Sequence, residues 1–141
     1  MKVYTINLSG VSYLPSGVVH EFSKGKIKVG DSVSIGIESE AVLDGHFAVI
    51  HNETELRVGW IPQLDTIRKY MGDAIEENDR RRHDRELMRY NTSKSIRDQI
   101  LLDSQINNVG TTGVIESLLY KDRDQFNYDG VGVIASVSIS I

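Results

Sequence analysis

The side chains best suited to chemistry in this chain are cations, and they fall in two places. Lys24, Lys26 and Lys28 are spaced by two, so on an extended strand they would line one face as a basic stripe. The same spacing also suits an edge strand whose charge keeps other strands away. Arg80-Arg81-Arg82-His83 invites a phosphate-binding reading. Yet within residues 76–89 five arginines (80, 81, 82, 85 and 89) meet five carboxylates (Glu76, Glu77, Asp79, Asp84 and Glu86). The local charge is nil, and a solvated helix face is the simpler reading of that stretch. Tyr13 offers an aromatic face on which a base can stack, worth about 1–3 kcal/mol without sequence preference. Packing on Pro15 is its alternative use.

Catalysis is not signalled. There is no Gly-rich phosphate loop, nucleophile elbow, paired-His motif or Ser-His-Asp constellation. His46 and His51 lie five apart and so on opposite faces of a strand, with no carboxylate cluster beside them at ligand spacing. The expectation is a binding module that is not an enzyme, with no metal and no cofactor.

Composition sets the outer bounds. At 141 residues, 40% hydrophobic and 26% charged, the chain is ordinary globular material of one-domain size. A net charge of −4 argues against a surface that grips duplex DNA all over, although a local basic groove is compatible with it. The absence of cysteine excludes disulfides, thiolate zinc sites and a cysteine nucleophile, and points to a reducing compartment. No secretory signal is visible, and no apolar run approaches the roughly 20 residues that span a bilayer. A cytoplasmic protein without membrane contact is expected.

The elements that must position these side chains follow from periodicity. Tyr4, Ile6 and Leu8 alternate with polar residues, as do Val33, Ile35 and Ile37. Phe47–Ile50 is a compact apolar run, and Asn52–Glu55 separates it from a partner strand over Arg57–Ile61. At Pro62 the period changes. Leu64, Ile67, Tyr70 and Met71 fit one helical face, and Tyr90-Asn91-Thr92-Ser93 reads as a break with a new N-cap. Ile96, Ile100 and Leu101 then form a second apolar face. After Asn107–Gly110 come strands over Gly113–Tyr120 and Val131–Ile141, the last alternating cleanly. The pattern predicts an α+β, mainly β domain over 1–141. Its body would be a small OB/SH3-like barrel from 1–62 and 111–141, with a pair of helices inserted at 63–110.

Several segments resemble the HIRAN domain, a small OB-like β-barrel family. They are Leu8-Ser9-Gly10-Val11-Ser12-Tyr13, the strand start Gly30–Ile35, Leu43-Asp44-Gly45-His46-Phe47-Ala48-Val49-Ile50 and Val58-Gly59-Trp60-Ile61-Pro62. The likeness covers residues 3–72 and, more loosely, 111–141. Residues 73–110 have no counterpart in it and read as an insertion. Characterised members of the family recognise the free 3′ end of single-stranded DNA. The resemblance therefore implies a DNA-binding site with Tyr13 as stacking platform, Asp44 accepting from the terminal sugar hydroxyl, His46 beside it, and Lys24, Lys26 and Lys28 along the backbone. An ionised carboxylate welcomes a hydroxyl and repels a terminal phosphate, which is the physical reason for a 3′-OH preference. Asp44-Gly45 also suits a plain Asx turn. The chain departs from the family at Ser12, where a DNA-gripping member is basic. It departs again at Leu43-Asp44 for the usual Tyr-Asp, and at Asp44-Gly45-His46-Phe47 for Asp-Pro-Asn-Ala. The competing expectation is a module for a protein partner or a second copy, docking through residues 73–107 with Ile96, Ile100 and Leu101 as the apolar face.

Overall fold

The computed structural model describes residues 3–10, 25–37, 45–107, 111–121 and 132–140. In chain order the elements are β1 (Val3–Asn7), β2 (Ser32–Ile37), β3 (Phe47–His51), β4 (Arg57–Trp60), α1 (Leu64–Glu76), α2 (Arg80–Asn107), β5 (Thr111–Lys121) and β6 (Gly132–Ser140). The architecture is α+β and mainly β: one curled, fully antiparallel sheet in the order β1-β6-β5-β2-β3-β4, with two helices. Among the described residues no helix is long and apolar enough to cross a membrane.

The strands form where two-residue alternation leaves one face apolar. Ile6 on β1, Val33 and Ile35 on β2, and Ala135, Val137 and Ile139 on β6 all point into one core. Register shifts at Val49/Ile50 and between Ile115 and Ser117 bend β3 and β5, as bulges do, and help the sheet curl. The two edges of the sheet then meet just beyond β1. Ser9 N–H donates to Trp60 O at 2.9 Å, and Trp60 N–H donates to Ser9 O at 3.0 Å. Two glycines permit that approach. Gly59 has φ +153°, and a Cβ there would sit 2.9 Å from Leu8 Cβ; one on Gly10 would sit 2.5 Å from Trp60 Cε3.

The helices correct two expectations. The break expected at Tyr90–Ser93 does not exist, because α2 runs unbroken through it. Instead the helical run is stopped just after α1 by Asn78, which takes the left-handed conformation at φ +54°. Asn78 N–H donates to Ile75 O and Asp79 N–H to Ala74 O, the paired bonds of a Schellman stop. Asp79 then caps α2 by accepting from Arg82 N–H at 3.1 Å. Residues 76–89 therefore straddle a turn rather than forming one helix face, and Arg82 reaches back across it to Glu77 at 2.6 Å.

The second correction concerns Ile96, Ile100 and Leu101. Ile96 and Ile100 are buried in the core of the sheet itself, and Leu101 packs against it. Burial of a side chain of this kind is worth about 1.5–3 kcal/mol, so an amphipathic helix beside an open sheet face uses its stripe there first. The face expected to meet a partner is occupied by the chain's own curled sheet.

Candidate nucleic-acid interface

Three of the segments singled out by their sequence converge at one end of the barrel. Ser9 is bridged to Trp60, and Ile61 N–H donates to Phe47 O at 2.9 Å, so Ser9-Gly10, Gly45-His46-Phe47 and Trp60-Ile61-Pro62 are neighbours. Their carbonyls are gathered by a residue that sequence reasoning missed. Arg97 on α2 is fully buried. Its Nη1 donates to Gly45 O at 2.7 Å, and its Nη2 to Ile61 O at 2.9 Å and Pro62 O at 3.0 Å. Its guanidinium also lies 4.6 Å from the centre of the Phe47 ring. Ser93, one turn earlier, donates to Pro62 O at 2.6 Å. The signal was legible after the fact: Ser93, Ile96, Arg97 and Ile100 follow the i, i+3, i+4, i+7 spacing of a buried stripe, so Arg97 stands at a core position.

The expected site residues fall on both sides of what is described. Tyr13, Asp44 and Lys24 lie outside the described residues. His46 is exposed and immediately precedes β3, next to the Gly45 that Arg97 holds. Lys26 and Lys28 are exposed, but residues 25–30 form turns and bends rather than the expected strand. Buried Ile27 sits between them and drives that segment onto the core. Lys28 N–H donates to Asp31 Oδ2 at 3.0 Å, and Asp31 in turn meets His51. Lys28 therefore stands at the His51 end of β3, with His46 beyond the other end. At about 3.3 Å per strand residue, the two ends of that strand are well over 10 Å apart. Lys28 and His46 thus stand toward opposite ends of β3.

At that far end the fold assembles a cluster that the linear sequence hides. His51 is fully buried. Its Nε2 lies 2.8 Å from Asp31 Oδ2 and its Nδ1 lies 2.8 Å from Thr54 Oγ1. Glu53 brings a second carboxylate, so that Asp31, His51 and Glu53 offer ligand atoms within 4.8 Å of one another. The proton positions decide what this set can do. Thr54 backbone N–H donates to Nδ1 at 3.2 Å, which makes Nδ1 an acceptor and leaves the ring proton on Nε2, pointing at Asp31. A metal-binding imidazole would need that Nε2 lone pair, and its other nitrogen would carry the proton outward. The tautomer suits a structural buttress of the β3–β4 turn better than a metal centre. Burial tends to raise the Asp31 carboxyl. The His51 hydrogen bond, the Lys28 backbone N–H and the positive charge nearby outweigh it, and hold the group below its ordinary value.

One further polar surface adjoins the barrel end. The N-terminal half of α2 lies over β1, and between them runs a groove of about 610 Å³. Comparison with protein families, with curated proteins and with solved structures finds no match.

Proposed function

We propose that this chain is an OB-like binding module that takes the 3′-OH end of single-stranded DNA at the barrel end where Ser9-Gly10, Gly45-His46 and Trp60–Pro62 meet. The observation that supports the reading is this convergence. Ser9 and Trp60, 51 residues apart, are drawn together by their bridge, Phe47 is joined to them by its hydrogen bond to Ile61, and the group is fixed by Arg97. Asp44 adjoins Gly45, whose carbonyl is anchored, and Tyr13 follows three residues after Gly10. In this reading Asp44 accepts from the terminal hydroxyl, Tyr13 stacks the last base, and His46 borders the same mouth. No covalent chemistry is assigned to the site.

The test is fluorescence anisotropy with short labelled single strands that carry either a 3′-OH or a 3′-phosphate. The 3′-OH strand should bind more tightly, and Asp44→Ala should erase the difference. Equal and negligible binding of both strands at low salt would overturn the reading. Docking of a protein or a second copy through residues 73–107 has lost Ile96 and Ile100 to the core. Among the described residues the helices still expose Tyr70, Ile75, Leu87, Met88 and Leu102, which are scattered over two elements.

A further inference from the structure

The groove between α2 and β1 has a composition that separates it from the rest of this acidic chain. One wall is α2, which presents Arg82, Arg85 and Arg89; the other is the outer face of β1 around Thr5 and Asn7. The three arginines are three and four residues apart, so they share one helix face and span about 10 Å of its axis at 1.5 Å per residue. Their charges are not equally committed. Arg82 pairs with Glu77 at 2.6 Å, and Arg89 lies 3.5 Å from Glu86, which also lines the groove. Arg85 is exposed and makes no ion pair with any described residue. The Glu77 carboxylate is open to water, so an incoming anion can compete with it for Arg82, while the Arg89–Glu86 pair is more sheltered but long at 3.5 Å.

Position matters as much as charge. The groove ends at Thr92 on one wall and Asn7 on the other. Thr92 adjoins Ser93, which bonds Pro62 O, and Asn7 lies two residues before Ser9, which is bridged to Trp60. Both walls thus lead to the barrel end described above. Met88, 71% exposed at the groove's lip, adds a soft apolar surface of the kind that tolerates any base. A groove of about 610 Å³ is in the range of a small-molecule pocket.

We infer that the groove carries the phosphodiester backbone of a single strand whose end sits at the barrel mouth, with Arg85 as the uncommitted phosphate contact and Arg82 and Arg89 flanking it. The inference rests on the proposed function for its strand polarity, but the groove is testable by itself. Guanidinium forks recognise phosphate through paired hydrogen bonds, and each such contact on a single strand adds about 0.7 to the slope of log affinity against log salt.

The experiment measures anisotropy of a labelled oligothymidylate from low to moderate salt, with the wild-type chain, Arg85→Gln, and the triple variant Arg82→Gln/Arg85→Gln/Arg89→Gln. A polyglutamate peptide serves as an acidic competitor that is not a nucleic acid. At 0.1 M salt the single substitution should weaken binding about fivefold and the triple about a hundredfold, with a shallower salt slope and unchanged circular dichroism. The two proposals can fail separately. If the triple variant binds as tightly as wild type while the 3′-OH preference persists, the groove assignment falls and the end-binding reading stands. If the arginine substitutions weaken binding but the two strand ends bind alike, the groove stands and the end reading falls. Binding of polyglutamate with no binding of DNA would overturn the groove as a nucleic-acid track and make it a site for acidic peptides.

Discussion

The two halves of α2 carry the same residue type to opposite ends. In its first three turns, arginines 82, 85 and 89 line an open groove and hold partly exposed ion pairs or none among the described residues. Four residues after Ser93, Arg97 has no exposed surface, and donates to the carbonyls of three different residues. The neighbours explain the difference. Arg97 sits among Ser93, Ile96 and Ile100, whose burial carries the guanidinium inward, and there it meets chain ends of strands with carbonyls to satisfy. Arg85 sits among charged residues with nothing to pull it down. A buried cation here is architecture, and an exposed one is available for binding.

Removing Arg97 is the most severe way to break that contrast. Arg97→Ala should destabilise the chain by about 3–5 kcal/mol in urea unfolding, because the carbonyls of Gly45 and Ile61 would lose this donor in a buried setting and Pro62 O would be left to the Ser93 hydroxyl. A cost no larger than that of Arg85→Ala would erase the distinction between the halves. Asp31 asks whether a buried polar cluster away from the helix behaves like the Arg97 clamp. Its carboxyl is held below the ordinary 3.8, so the stability it lends is complete above that value and is lost as pH falls through the lower, folded-state value. Asp31→Asn should cost about 1–3 kcal/mol near neutral pH and flatten the acid limb of stability, as followed by thermal unfolding across pH 2–6. The smallest effect belongs to the groove. The triple glutamine variant of Arg82, Arg85 and Arg89 should shift stability by less than about 1 kcal/mol, since one arginine is unpaired among the described residues and the other two hold only partly exposed pairs. A larger loss in the same unfolding assay would mean that these arginines hold the fold as well.

Much of the sheet was legible because alternation reports burial directly. Ile6, Val33, Ile35, Val137 and Ile139 all fall on the face that the period-two pattern assigns to the core. The helix break was misplaced for a physical reason. Thr92-Ser93 has the chemistry of an N-cap, but the Ser93 hydroxyl is spent on Pro62 O, across the molecule, and the helix runs on. Asn78-Asp79 was the true stop and start, a left-handed asparagine followed by a capping aspartate, hidden in a run of charges. The destination of Ile96 and Ile100 depended on which concave surface lay nearest, and no local pattern encodes that. The candidate site was legible as segments but not as a constellation. The family resemblance implied that Lys28 belonged with His46, and only the three-dimensional path of β3 shows them at its opposite ends.

The strand pairing that joins Val3 to Ser140 also has a kinetic side. A ladder between residues so far apart forms only after a very long loop has closed, and contacts of that separation are the slow ones in folding. During synthesis the segment around Tyr4 and Ile6 must wait, partnerless, until β6 has emerged. Shortening that wait by circular permutation between β1 and β6 should speed refolding without altering a single side-chain contact in the core.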